Sequence, residues 1–142
     1  MFDQDIFSGA WQSLVFGLVG IMLMAVGFVV VDLLTPGKLR ELIWTDRSHN
    51  AALLLAANQL GIALIVFTAI FTSYGEFSKG LVSTILFGLI GIGLMALAFY
   101  VLDWLTPGKL GDLIAEKTPH PAAKVVAASH FGAALIVCAC IS

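Results

Sequence analysis

Four stretches of this 142-residue chain contain no Asp, Glu, Lys or Arg: residues 6–31, 48–75, 80–102 and 125–142. Crossing the hydrocarbon of a bilayer takes ~20 residues of helix. The first three runs are long enough. The fourth can be completed by Pro121-Ala122-Ala123 and the stem of Lys124, which can snorkel. The runs lack two-residue alternation and are too long for barrel strands, so helix is the conformation that satisfies their backbone in lipid. Composition agrees. The chain is 60% hydrophobic and 11% charged, with a mean hydropathy of +1.02, whereas a soluble domain carries about 25% charged residues. The reading predicts an all-α integral membrane protein with four spans at about 11–34, 50–73, 80–104 and 122–141. The start, Met1-Phe2-Asp3-Gln4-Asp5, is acidic and leads into a run longer than a signal-peptide core, so it reads as an uncleaved first span.

The chain is also duplicated. Asp32-Leu33-Leu34-Thr35-Pro36-Gly37-Lys38-Leu39 returns 71 residues later as Asp103-Trp104-Leu105-Thr106-Pro107-Gly108-Lys109-Leu110. The register holds without a gap, with more than half of the aligned positions from Phe16 to Val66 identical to those from Phe87 to Val137. The predicted architecture is therefore two repeats, 1–75 and 76–142, each a transmembrane helical hairpin. Two spans per repeat give both the same polarity, related by an axis along the membrane normal. Lys38, Arg40, Arg47, Lys109, Lys117 and Lys124 lie in or beside the two repeated loops, and only Lys79 lies opposite. This bias predicts cytoplasmic loops and external termini. Trp11, Trp44, Tyr74, Tyr100 and Trp104 fall near span ends, where aromatic belts form.

Each repeated loop resembles a helix start. Thr35 and Thr106 are placed to cap, and Pro36 and Pro107 suit the first helical position. Leu39, Leu42 and Ile43, with Leu110, Leu113 and Ile114 as counterparts, then predict a short amphipathic helix at the cytoplasmic interface. Asp32 and Asp103, one turn before each Pro, face the unfavourable pole of the helix dipole. Two readings stand. They form an acidic site at a cytoplasmic mouth, or they latch the turn by accepting hydrogen bonds from the next helix's amides. Lys38 and Lys109 are the nearest charge partners. Ser13, Gly17, Gly20 and Gly27 match Thr84, Gly88, Gly91 and Ala98 as a stripe of small residues, which predicts a packing seam between the first and third spans.

The mid-membrane polar residues are Asn58-Gln59 and, in matched positions, Ser129-His130. They read either as interhelical hydrogen-bond glue or as a polar substrate or proton site. His49 and His120, at the starts of the second and fourth spans, suit capping. Cys138 and Cys140 point nearly opposite ways on a helix and suit neither a shared metal nor a disulfide. No metal-ligand spacing, phosphate loop or nucleophile motif is present, and the few basic residues do not favour nucleic acid. No cofactor and no enzymatic activity are expected.

The Asp-x-Leu-Thr-Pro-Gly-Lys-Leu phrase in a duplicated two-helix unit, with Asn50-Ala51-Ala52 opening the second span, resembles domain of unknown function 350, also grouped as uncharacterised protein family 0719. The resemblance implies a multi-pass bacterial inner-membrane protein and supplies no catalytic residues. The second copy departs from it at Pro121. Two functions are expected to compete. One is a small homo-oligomeric channel or transporter for an ion or small polar solute, its subunits surrounding a path that four spans can scarcely enclose. The other is a non-catalytic scaffold whose loops dock a cytoplasmic protein or anionic lipid through Lys38, Arg40 and Lys109.

Overall fold

The computed structural model describes residues 2–73 and 75–142, with side chains from residue 5 onward. Tyr74, one of the aromatic residues expected at a span end, lies outside them. The described residues form six helices: α1 (Phe2–Leu34), α2 (Leu39–Trp44), α3 (His49–Phe71), α4 (Phe77–Leu105), α5 (Leu110–Ala115) and α6 (Pro121–Ile141). Four of them, α1, α3, α4 and α6, are long and apolar enough to cross a membrane. α1 begins nine residues before the expected start of the first span. Its 33 residues extend about 50 Å at 1.5 Å per residue, well beyond a hydrocarbon core of roughly 30 Å.

The spans form a parallelogram. α3 packs on α1, α4 and α6, and α4 packs on α1, α3 and α6, so α3 and α4 share the short diagonal and α1 and α6 take the far corners. α3 and α6 make the closest pairing, and α1 and α4 a looser one. The outward faces, including Ile21, Val29, Phe67, Val82, Leu97 and Ile136, are exposed and apolar, as helices in lipid require.

Glycines let α3 approach its neighbours. A Cβ on Gly27 would stand 2.1 Å from Ile62 Cδ1, one on Gly91 2.4 Å from Ile65 Cγ2, and one on Gly20 3.2 Å from Val66 Cγ1. The small-residue stripe therefore mostly receives branched side chains of α3. The expected contact between the first and third spans is present beside it, where Leu23 of α1 presses on Gly88 of α4 and Phe16 meets Phe77 edge-on at 5.7 Å. Gly17 has open space around it, and Ala98 is half-buried.

The two repeated loops lie together at one end of the bundle. Pro36 packs on Gly111, and Lys117 pairs with Asp46 at 3.4 Å. α2 and α5 begin later than expected, at Leu39 and Leu110, and their N-caps are Lys38 and Lys109 without side-chain caps. Thr35 and Thr106 do not cap. Their hydroxyls donate back to Val31 O (2.9 Å) and Leu102 O (2.7 Å), finishing the preceding helix. Pro36 and Pro107 precede the short helices instead of opening them, because Gly37 (φ 90°) and Gly108 (φ 100°) turn the chain through the left-handed region first.

Candidate functional site

Three polar constellations exist, and each grows from where its helix places it. The first is the pair of turns. Asp32 Oδ1 accepts the backbone N–H of Leu39 at 2.7 Å, and Asp103 Oδ1 accepts that of Leu110 at 2.8 Å. Each carboxylate thus caps the first amide of the following short helix across the Pro-Gly turn, and this favours the negative charge that its own helix C-terminus opposes. Lys38 does not pair with Asp32. Its ammonium lies 3.9 Å from Glu41, with both side chains exposed. Lys109 is exposed.

The second constellation is a clamp between the loops. Asn50, at the start of α3, is 1% exposed. Its Nδ2 lies 3.1, 3.2 and 3.0 Å from the carbonyls of Leu113, Glu116 and Thr118, and its Oδ1 accepts His120 N–H at 3.0 Å. Ser48 caps α3 by accepting Ala51 N–H, and its hydroxyl donates to Ile114 O at 2.7 Å. Neither residue stood out as functional in the sequence beyond Asn50's place in the family phrase. The available signal was a break in the duplication, because Ser48 and Asn50 match Pro119 and Pro121, which cannot return these bonds. Of the two matched histidines, His120 caps α6 through Nδ1, which accepts Ala122 N–H at 3.1 Å, while His49 is exposed beside the Ser48 cap.

The third lies in the middle of the spans. His130 Nε2 and Asn58 Oδ1 stand 2.8 Å apart at the α3–α6 contact, both residues 1% exposed. With the amide oxygen accepting, the ring N–H sits on Nε2, and Nδ1 is the acceptor of the neutral ring. Phe99 of α4 meets the ring edge-on at 6.2 Å between centroids. Asn58 Nδ2, His130 Nδ1 and Gln59 Oε1 are buried with no hydrogen-bond partner among the described residues. One donor and two acceptors thus keep unused capacity in apolar surroundings, a costly arrangement. The duplication had paired neighbours, Asn58-Gln59 with Ser129-His130. The fold brings together only Asn58 and His130. Ser129 is exposed in a groove between α4 and α6.

The comparisons with known proteins agree on the class of molecule. The family described as Domain of Unknown Function (DUF350) matches residues 5–141. A protein named UPF0719 transmembrane protein from Mycolicibacterium paratuberculosis is 36% identical over 124 residues, which cover 87% of this chain and 82% of that protein. UPF0719 transmembrane proteins of Mycobacterium bovis and Mycobacterium tuberculosis are each 31% identical over 137 residues, or 96% of this chain and 90% of theirs. No solved structure matches.

Proposed function

The chain belongs to the DUF350 family of uncharacterised transmembrane proteins, and on that premise we propose that it is a homo-oligomeric membrane protein that passes an ion or small polar solute. In this reading it sits in the bacterial inner membrane as two parallel hairpin repeats. Both loops are cytoplasmic, with α2 and α5 at the interface, and both termini are external. It acts without cofactor or catalysis. The observation that carries the reading is the buried Asn58–His130 pair in mid-span, in which Asn58 Nδ2 and His130 Nδ1 keep no hydrogen-bond partner among the described residues. Groups that stabilised packing alone would be expected to satisfy one another. An imidazole held by an amide is suited to relaying a proton or ligating a polar solute. The two aspartates, engaged in turn caps, hold the cytoplasmic ends of α1 and α4 instead of forming the acidic mouth.

Flux tests the proposal. Liposomes carrying the purified protein should leak protons or small cations faster than protein-free liposomes, and His130→Ala should reduce that leak severalfold. Equal leak with and without protein, across a panel of ions and small polar solutes, overturns it.

A second reading, the scaffold, is favoured by the exposed Lys38, Arg40, Lys109 and Trp44 around the loop end. Anionic lipid or an acidic partner protein would meet that surface. Crosslinking in native membranes that recovers only the protein itself counts against it.

A further inference from the structure

At several matched positions of the two halves burial is exchanged, although others, such as Leu39 and Leu110, are buried in both. Leu23, Leu54 and Ile65 are 5, 2 and 0% exposed, while their counterparts 71 residues on, Leu94, Val125 and Ile136, are 40, 66 and 67% exposed. Asn58 is buried and its counterpart Ser129 exposed. On a different face the exchange runs the other way. Ile92, Gly88 and His130 are buried, whereas Ile21 and Gly17 are exposed and Gln59 is half-buried. The two buried sets lie against one another at Leu23 on Gly88 and Asn58 on His130, and Ile65 fits over Gly91, whose counterpart Gly20 is buried as well. The halves therefore meet through unlike faces. A two-fold contact would bury the same positions in both; a head-to-tail contact buries one face of each and leaves the complementary faces free.

Those free faces are the sequence counterparts of the two that meet inside the chain. The second half keeps a groove of about 610 Å³ between α4 and α6, lined by Leu94, Ser129, Gly132 and Ile136. The first half keeps Gly17, Ile21 and Gln59 on α1 and α3. We propose that a second copy of this chain docks its α1–α3 face into the α4–α6 groove, repeating between copies the contact that joins the halves within one. The proposal rests on the oligomeric part of the reading above and does not depend on transport.

In the repeated contact, Ser129 stands where Asn58 stands internally, and Gln59 of the next copy stands where His130 does. The Gln59 amide, whose Oε1 is buried with no hydrogen-bond partner among the described residues, turns outward there to accept the serine hydroxyl. Asn58–His130 and Ser129–Gln59 pairs alternate along the assembly at one depth. α3 and α6 pack more closely than α1 and α4, so successive units fan in one direction, with α3 and α6 inside. Such a row closes into a ring when the rotation divides a full turn. The joint between copies is the weaker one. Pro119 and Pro121 cannot reproduce the Ser48–Asn50 clamp, and Arg40, which matches Gly111, must turn aside from Pro107 of the neighbour.

Cysteine crosslinking in membranes tests this. In a Cys138→Ala/Cys140→Ala background, the Gln59→Cys/Ser129→Cys variant should give an oxidant-dependent ladder of dimers, trimers and larger species. Gln59→Cys and Ser129→Cys co-expressed as single variants should stop at dimers, and either alone should stay monomeric. Gly17→Trp, at a site with open space in the isolated fold, should reduce the ladder at least severalfold. Leu33→Trp, at a position exposed like its counterpart Trp104, should leave it intact. A folded double variant that forms no ladder, or dimers from Ser129→Cys alone, overturns the head-to-tail contact. A ladder in protein that conducts nothing sinks the transport reading and leaves the assembly standing. A monomer in native membranes sinks both.

Discussion

A carboxylate in the last turn of a helix opposes that helix's dipole, and Asp32 and Asp103 are both so placed. The amides of Leu39 and Leu110 compensate, each donating to the carboxylate seven residues before it. Removing such a cap costs about 0.5–2 kcal/mol. Asp32→Ala should lower the thermal midpoint of the detergent-solubilised protein, and Asp32→Asn, which keeps an acceptor, should restore most of it. If Asn proved as damaging as Ala, charge and not hydrogen bonding would be what the position needs. Asn50 carries more. Its amide serves three carbonyls of the α5–α6 connection and one N–H, and truncation leaves several buried groups unpaired at about 1–3 kcal/mol each. Asn50→Ala should therefore destabilise more than Asp32→Ala, as read by the same melt. Asn50→Asp, which turns an acceptor toward three carbonyls, should be worse still. At this scale the aspartate turn was legible because the chain states it twice. The clamp was hidden because its partners are backbone carbonyls, which leave no side-chain signature in a sequence.

Among the elements, α3 is the hub, and its branched residues explain which glycines matter. Gly91 accommodates Ile65, with only 2.4 Å between the methyl and the site of an added Cβ, whereas Gly93 has nothing within 4 Å. Overpacking a close contact costs typically about 1–3 kcal/mol, while Ala for Gly on an open helix face is neutral or slightly favourable. Gly91→Ala should destabilise the bundle, Gly93→Ala should not, and trimming the neighbour in Gly91→Ala/Ile65→Ala should recover part of the loss in a double-mutant cycle. Absence of coupling in that cycle would show that the two residues do not meet. The four spans were readable from the apolar runs alone, since lipid leaves few alternatives. What periodicity could not resolve was the partner of each face. The spans are apolar all round, so no polar stripe distinguishes lipid from protein, and the small residues alone do not show that three of the five stripe glycines, Gly20, Gly27 and Gly91, receive side chains of α3. Thr-Pro resembles a helix start, yet the short helices begin three residues beyond Pro36 and Pro107, at Leu39 and Leu110. Here the glycine that follows must first turn the chain, and only then can the helix begin.

For the whole molecule, the polar ends decide the topology. Ser48 and Asn50 reach the α5–α6 connection directly, and Asp46 pairs with Lys117, so residues near 40 and near 112 lie on the same end of the bundle. A membrane that put them on opposite faces would break all of these bonds. The cytoplasmic side proposed for that end rests on charge alone. Six of the seven Lys and Arg residues lie in or beside the two loops and only Lys79 lies opposite, and basic loops stay cytoplasmic. Single cysteines introduced as Arg40→Cys and Asp112→Cys, with Cys138 and Cys140 removed, should thus resist a membrane-impermeant maleimide in intact cells and react once the membrane is opened. Ser78→Cys, beside Lys79, should react in intact cells. Reaction of all three in the reverse order would invert the orientation and leave the fold untouched. Reaction of positions 40 and 112 from different sides would dismantle the bundle, because the clamp that unites the two loops could not then exist.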